Sequence, residues 1–348
     1  MNRVFPNSYK SPIVKGGRVA ILMRTKNRPV LLARAFASVL SQSYPNWCLC
    51  LVNDGGDAKE VDNLVRQYLP QFGDRLVVRH HERSLGMEAA SNAALTLADS
   101  DYVVVHDDDD SWHPDFLKET VEFLERTENA VYGAVAARCE VIHEEIVGNR
   151  VKTLFREPWV YWEERIDFMN MARANSIPPI CLLIRREIIN AIGDFNPNLP
   201  VLGDWDYSLR IMETCDIDTI NEVLSYYHHR QSGDVVYANS VHSGLDKHQT
   251  YQVLYRNAMV RSYLQTDPSR LGLLHVMLLR MQKLEDQHNA HFNDIHKHLE
   301  WLHEQIQKTP AWAHNLVDFS NKGLKALYPF AWLWRKLRFF RRLRGMRP

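Results

Sequence analysis

The sequence predicts an α/β protein: a mostly parallel sheet with helices on both faces, followed by a C-terminal helical region. Three observations predict it. Between Arg18 and Asp107 short apolar runs alternate four times with stretches of helical periodicity. The runs are continuously apolar rather than alternating, as strands covered on both faces are. From about residue 244 to 306 the strand pattern gives way to helical spacing.

The elements follow in order. "RVAILMR" (18–24) is a strand, and "PVLLARAFASVLSQ" (29–42) is an amphipathic helix with Pro29 where a missing N–H costs little. "WCLCLVND" (47–54) is the second strand, followed by "GG" and a helix near 58–69. "RLVVRHH" (75–81) is the third strand, "GMEAASNAALTLA" (86–98) a helix, and "DYVVVHD" (101–107) the fourth strand. Residues 114–127 read as helix, and "VYGAVAARCEVI" with "NRVKTLF" as an extended pair. Residues 180–214 hold a strand, a short helix ended by Gly193, an irregular loop and a helix entered around Asp204. Open parallel sheets bind ligands beyond the carboxyl ends of their strands, and Asp54 and Asp107 both close strands, so both point to that edge.

The chain has 348 residues, with 42 basic and 42 acidic side chains, unevenly spread. Nine Lys or Arg and no acid follow Asp318, which leaves 33 basic against 42 acidic side chains in the body. The five cysteines are scattered, and Cys48 and Cys50 share one face of a strand, a spacing unsuited to pairing. A reducing cytosol fits. Residues 1–17 read as a loose lead-in without the apolar core of a signal peptide, and no run approaches the ~18 apolar residues of a membrane span.

"VVVHDDDDSW" sets Asp107, Asp108, Asp109 and Asp110 side by side at the tip of a buried strand. Like charges about 4 Å apart repel by roughly 1 kcal/mol even in water. A solvated acidic loop is the ordinary fate of such a run, but Trp112 and Pro114 follow at once, and a divalent cation would cancel the repulsion. A helix–loop–helix calcium site starting at Asp107 fails, because its sixth and twelfth positions are Trp112 and Lys118.

The aspartate run resembles the D-x-D segment of nucleotide-sugar glycosyltransferases of the GT-A fold, inverting family 2. "ILMRTKNRP", "LVNDGG", "GMEAASNAAL" and "RREIINAIGDFNPNLPVLGDWDYSLRI" fall in that family's order, and the likeness covers about residues 18–232. The resemblance implies a GT-A domain over 18–240, then a helical region over 241–310 and a basic, aromatic tail over 311–348. It implies that Thr25, Asn27, Arg28, Asp54, Asn92, Asp107 and Arg230 contact the donor, with Asp54 accepting from a uracil or thymine imide and Arg28 near the diphosphate. Asp107 and Asp109 would hold Mg²⁺ or Mn²⁺, with His229 as a further metal contact, and Asp204 would be the general base. Asp54 also suits a strand-end turn and Asp204 a helix cap.

The chain departs from the family at Lys26, where an aromatic residue is common, at Ser91 for an arginine, and at Gly203 for the acid before the base, with Asp206 as a fallback base. Two other readings compete. One is an aspartyl-nucleophile phosphotransferase, whose motif would follow the first strand rather than the fourth; the other is a non-catalytic nucleotide-sugar or carbohydrate-binding module.

In the C-terminal third, Met277, Met281, Leu284, His288, His291, Ile295, His298 and Leu302 recur at spacings of four and three, the stripe of a packing or self-association helix and hence of a homodimer. The tail mixes Phe330, Trp332, Leu333, Trp334, Leu337, Phe339 and Phe340 with basic residues. That mixture fits the anionic inner face of the cytoplasmic membrane better than nucleic acid, and a lipid-linked acceptor would sit at that surface.

Overall fold

The computed structural model describes residues 10–12, 14–148, 150–230, 245–267 and 270–308. The chain separates into two compact units, 1–258 and 259–348. The first is built on one nine-stranded sheet.

Strands β1 (Val19–Thr25), β2 (Trp47–Asp54), β3 (Leu76–His81) and β4 (Tyr102–Val105) are parallel, in the order β3-β2-β1-β4. All eight residues of β2 and all four of β4 are buried, which is why both read as unbroken apolar runs. Helices α1 (Pro29–Leu40), α2 (Ala58–Phe72) and α3 (Met87–Leu95) make the crossovers. Pro29 opens α1, and Leu31, Leu32, Ala35, Phe36 and Val39 form its buried face. Register then sets the working edge. Thr25 pairs with Asn53, and the His106 N–H continues onto the Leu22 carbonyl at 2.9 Å, so the ends of β1, β2 and β4 emerge together.

The second half of the sheet turns antiparallel. After β5 (Ser111–Trp112) and α4 (Phe116–Leu124) come the hairpin strands β6 (Tyr132–Val147) and β7 (Arg150–Pro158). Helix α5 (Phe168–Arg173) precedes β8 (Leu182–Arg185), which lies between β4 and β6 and runs antiparallel to both. Helix α6 (Arg186–Ile192) ends at Gly193, whose φ of 83° takes the chain out of the helix. Helix α7 (Gly203–Thr214) leads into the long β9 (Asp216–Arg230). β9 is parallel to β6 and carries β5 on its other side, so Glu144 pairs with Arg230 in register and Ser111 with Tyr226. That doubled contact brings the end of β9 against the aspartate run.

Helix α8 (Leu245–Thr266) begins in the first unit, where the Tyr255 hydroxyl donates to Asp206 at 2.9 Å. The second unit is described through the end of α8 and α9 (Arg270–Lys308), a helix of 39 residues. Met277, Met281, Leu284, Ile295 and Leu302 of the expected stripe are exposed on it. Among the described residues no helix is long and apolar enough to cross a membrane. The basic, aromatic tail over 311–348 lies outside the described residues.

Candidate active site

The acid run is compensated by arginines. Arg24 Nε donates to Asp107 Oδ1 at 2.8 Å, and Arg28 Nη1 donates to Asp109 Oδ2 at 3.2 Å. Arg28 also pairs with Asp108, which accepts from the Thr25 hydroxyl at 2.6 Å. Arg230, wholly buried, pairs with Asp109 and with Glu144. Arg34 joins from α1, donating to Glu144 Oε2 at 2.6 Å and to the Asp109 carbonyl. Buried charges persist only when paired and hydrogen-bonded, and here four guanidinium groups face four carboxyls. Opposing charge for the aspartate run thus comes from within the fold, from β1, α1 and β9.

The four aspartates are not equivalent. Burial works against the charge on Asp109, but Arg28, Arg230 and Arg34 outweigh it and hold its pKa below the usual range. Burial pushes Asp108 up to about 6, opposed chiefly by Arg28. Burial, with Asp109 and Asp107 beside it, pushes Asp110 far up. Its Oδ1 accepts from the His228 N–H at 2.9 Å while Oδ2 has no partner, as suits a carboxyl kept neutral. Asp107 is the most exposed of the four, its side chain 22% accessible.

Asp54 stands at the end of β2 as expected, engaged by the loop between β3 and α3. It accepts from Ser84 Oγ at 2.6 Å, the Leu85 N–H at 2.9 Å and the Gly86 N–H at 3.1 Å, and meets His81 Nδ1 at 2.8 Å. Burial disfavours its charge, but these contacts prevail and lower its pKa. Gly55 lets that loop close in: a Cβ there would lie 2.2 Å from the Ser84 nitrogen, and its φ is 73°. Asn27, also at positive φ, accepts from the Asp57 N–H at 2.8 Å and so ties the end of β1 to the start of α2. Asn92 is held by the Phe195 backbone. Its side chain donates to and accepts from the Phe195 backbone at 2.8 and 2.9 Å, fastening α3 to the loop after α6.

Asp204 lies in the first turn of α7, two residues after Leu202, whose φ of 69° is costly for a branched side chain. Asp204 is partly exposed and accepts from Asn175 Nδ2 at 2.8 Å. Burial raises its pKa, the Trp205 N–H and Arg24 oppose the rise, and Asp107 adds to it. Asp204 thus lies within electrostatic reach of the Arg24–Asp107 pair. The fallback base Asp206 is instead held by Arg210 at 2.8 Å and by the Tyr255 hydroxyl. His229 stands edge-on to Tyr227 at 4.5 Å and to His143 at 5.7 Å. Strand alternation sends it to the opposite face of β9 from Arg230, which meets Asp109. His229, Asp107 and Asp109 are not gathered into one ligand set, and among the described residues no group of three His, Cys, Asp or Glu is placed to hold a metal ion.

The departures at Ser91 and Gly203 have structural counterparts. Arg24 Nη1 donates to Ser91 Oγ at 2.7 Å, so a guanidinium reaches that position from β1. Glu88 of α3 fills the space beside Gly203: a Cβ there would lie 2.2 Å from the Glu88 carboxyl carbon. Arg24, Arg34, Glu88, Glu144 and His228 were not singled out from the sequence. For Arg24 a signal existed, a charge closing a strand otherwise apolar; for Glu144 and His228 none did, since both lie on strands that read as packing.

A parallel α/β half-sheet whose carboxylates converge at the strand ends is the GT-A architecture. The model of glycosyl transferase family 2 matches residues 20–193, half of the chain, and the chain belongs to that family. It is 32% identical over 111 residues to EpsE of Bacillus subtilis and 37% identical over 100 residues to WcaA of Escherichia coli. Both are provisionally named glycosyltransferases, WcaA in colanic acid biosynthesis. The matches take in 32% and 28% of this chain but only 40% and 35% of those proteins. TarS of S. aureus superposes with a TM-score of 0.50 at 15% identity, over 61% of this chain and 36% of that one, a likeness of fold alone.

Proposed function

We propose that the protein transfers a sugar from a nucleoside diphosphate to a hydroxyl of a glycan or lipid-linked glycan, with inversion, in cell-envelope polysaccharide synthesis. The observation that carries this reading is the placement of a partly exposed carboxylate, Asp204, within electrostatic reach of the arginine-held Asp107. An attacking hydroxyl needs a base within hydrogen-bond reach, and the departing diphosphate needs positive charge where its own negative charge develops. Arg24 and Arg28, both partly accessible, suit the second task, and Asp204 suits the first.

Thr25, Asn27, Asp54 and Asn92 shape the nucleoside end in this reading, and Arg230 fixes Asp109. A uridine or thymidine donor would displace part of the loop contacts that Asp54 makes, since those contacts occupy the oxygens an imide would need. In this reading Asp107 and Asp109 would hold Mg²⁺ or Mn²⁺, ions that bind through one or two carboxylates with phosphate oxygens completing the shell. Bound there, the ion would add Lewis-acid stabilisation to the leaving diphosphate. The family membership and the name of WcaA support the polysaccharide context. A homodimer through the α9 stripe belongs to this reading, and sedimentation of a chain ended after Asp267 tests it. The aromatic and basic tail supports peripheral attachment to the inner face of the cytoplasmic membrane.

The test is release of nucleoside diphosphate from a panel of uridine, thymidine and guanosine diphosphate sugars, with Mn²⁺, with Mg²⁺ and with chelator. Turnover with one donor, dependent on the cation and lost in Asp204→Asn, is expected. A donor that raises the melting temperature without ever being turned over would favour the binding-module reading.

A further inference from the structure

The Glu88 side chain is only 5% accessible, its Oε2 has no hydrogen-bond partner, and its ion-pair partner Arg24 stands 3.9 Å away. Its carboxyl packs on the backbone of Gly203, one residue before Asp204. A buried carboxyl with an idle oxygen is expensive. The charged groups that act on it are Arg24 from β1, Asp107 from the loop after β4, and Asp204 and Asp206 from α7.

We propose that Glu88 is a positioning residue for transfer: from behind the first turn of α7 it sets the basicity of Asp204 and the reach of Arg24. The inference rests on the reading of Asp204 as the base. When ionised, Glu88 places a negative charge beside Asp204, which makes Asp204 the stronger proton acceptor, and it competes with Asp107 for Arg24. When protonated it does neither. Burial is the main cause that lifts this carboxyl, to about 7, with Arg24 opposing and Asp204, Asp107 and Asp206 adding to the rise, so the change falls near neutrality.

The pH profile of kcat/KM separates this role from a packing role. The native enzyme is expected to rise several-fold through neutral pH. Glu88→Gln, which keeps the shape, loses that rise and stays near the low-pH level, while Glu88→Asp regains a titrating step. Melting temperatures supply a readout independent of turnover. A carboxyl raised by burial costs stability as pH climbs from its ordinary value through its folded one, so Glu88→Gln should gain on the native protein between pH 5 and pH 8. A Gln variant that keeps the native inflection, or a melting difference equal at both pH values, overturns the proposal. If the native protein turns over no donor, the transferase reading falls, and the melting series still decides whether Glu88 titrates.

Discussion

The guanidinium of Arg230 is paired with the carboxylate of Asp109, 121 residues earlier in the chain, and no part of it reaches solvent. The same guanidinium holds Glu144, so one cation joins the aspartate run to β6. Removing one partner of a buried ionic group strands the others without charge balance and costs about 3–5 kcal/mol. Arg230→Ala is therefore expected to lower the denaturant midpoint strongly. Arg230→Met with Glu144→Gln should recover part of the loss, because it withdraws one of the stranded carboxylates too. Urea unfolding of the single and double variants checks this, and equal midpoints in the two would refute it.

A second expectation concerns the contact between Gly203 and Glu88. A methyl group at 203 would stand 2.2 Å from the Glu88 carboxyl carbon, and Glu88 is enclosed, so it has little room to swing aside. Gly203→Ala should cost about 1–3 kcal/mol, as overpacking does. Combined with Glu88→Ala the cost should fall well below the sum of the two single changes, since the shortened side chain removes the clash that the methyl group creates and the methyl group fills part of the space left. A double-mutant cycle by thermal or urea unfolding measures that coupling, and additivity would show that the two do not compete for space.

Much of the first half of the fold is legible in the sequence because its cause is local. β1, β2 and β4 are buried on both faces, so their apolar runs stand out, and Pro29, Gly55 and Gly193 mark where elements start or stop. The insertion of β8 between β4 and β6 is not legible, since antiparallel pairing across a gap of some eighty residues leaves no trace in periodicity. The site divides in the same way. Asp54, Asp107, Asp109 and Asp204 announce themselves by their positions at strand and helix ends. Glu144 lies at an inward position of a strand and His228 two residues before the end of another, where charge and ring read as surface or packing. Their meeting at 2.7 Å depends on the β6–β9 register, which only the assembled sheet reveals.

Asp204 and Asp206 are two residues apart on α7 and differ in what holds them. Asp204 is partly exposed, with Asn175 as its side-chain partner, whereas Asp206 is locked by Arg210 and Tyr255. With Asp204 as base, Asp204→Asn should fold normally and lower kcat by about 10²–10⁴-fold. Asp206→Asn should instead lower the melting temperature and leave most of the activity. Single-turnover rates alongside melting curves distinguish the two, and a reversed pattern would move the base to Asp206.

Acid sensitivity should trace to Glu144. Burial opposes its charge, but His228, within 2.7 Å, and Arg34 more than compensate and hold its pKa down to about 2. The folded state thus binds this proton more weakly than the unfolded chain does. The resulting stabilisation, on the order of 3 kcal/mol, is complete above the ordinary carboxylate range and fades as pH falls from about 4.5 toward 2. Glu144→Gln cannot titrate, so although less stable at neutral pH it should lose less stability than the native protein across that window. Urea midpoints at pH 6, 4 and 3 check the slope. The sign is opposite to that expected for Glu88, whose cost appears as pH rises. If both variants shifted the profile in the same direction, the arginine network around Glu144 would not be the source of its acid response.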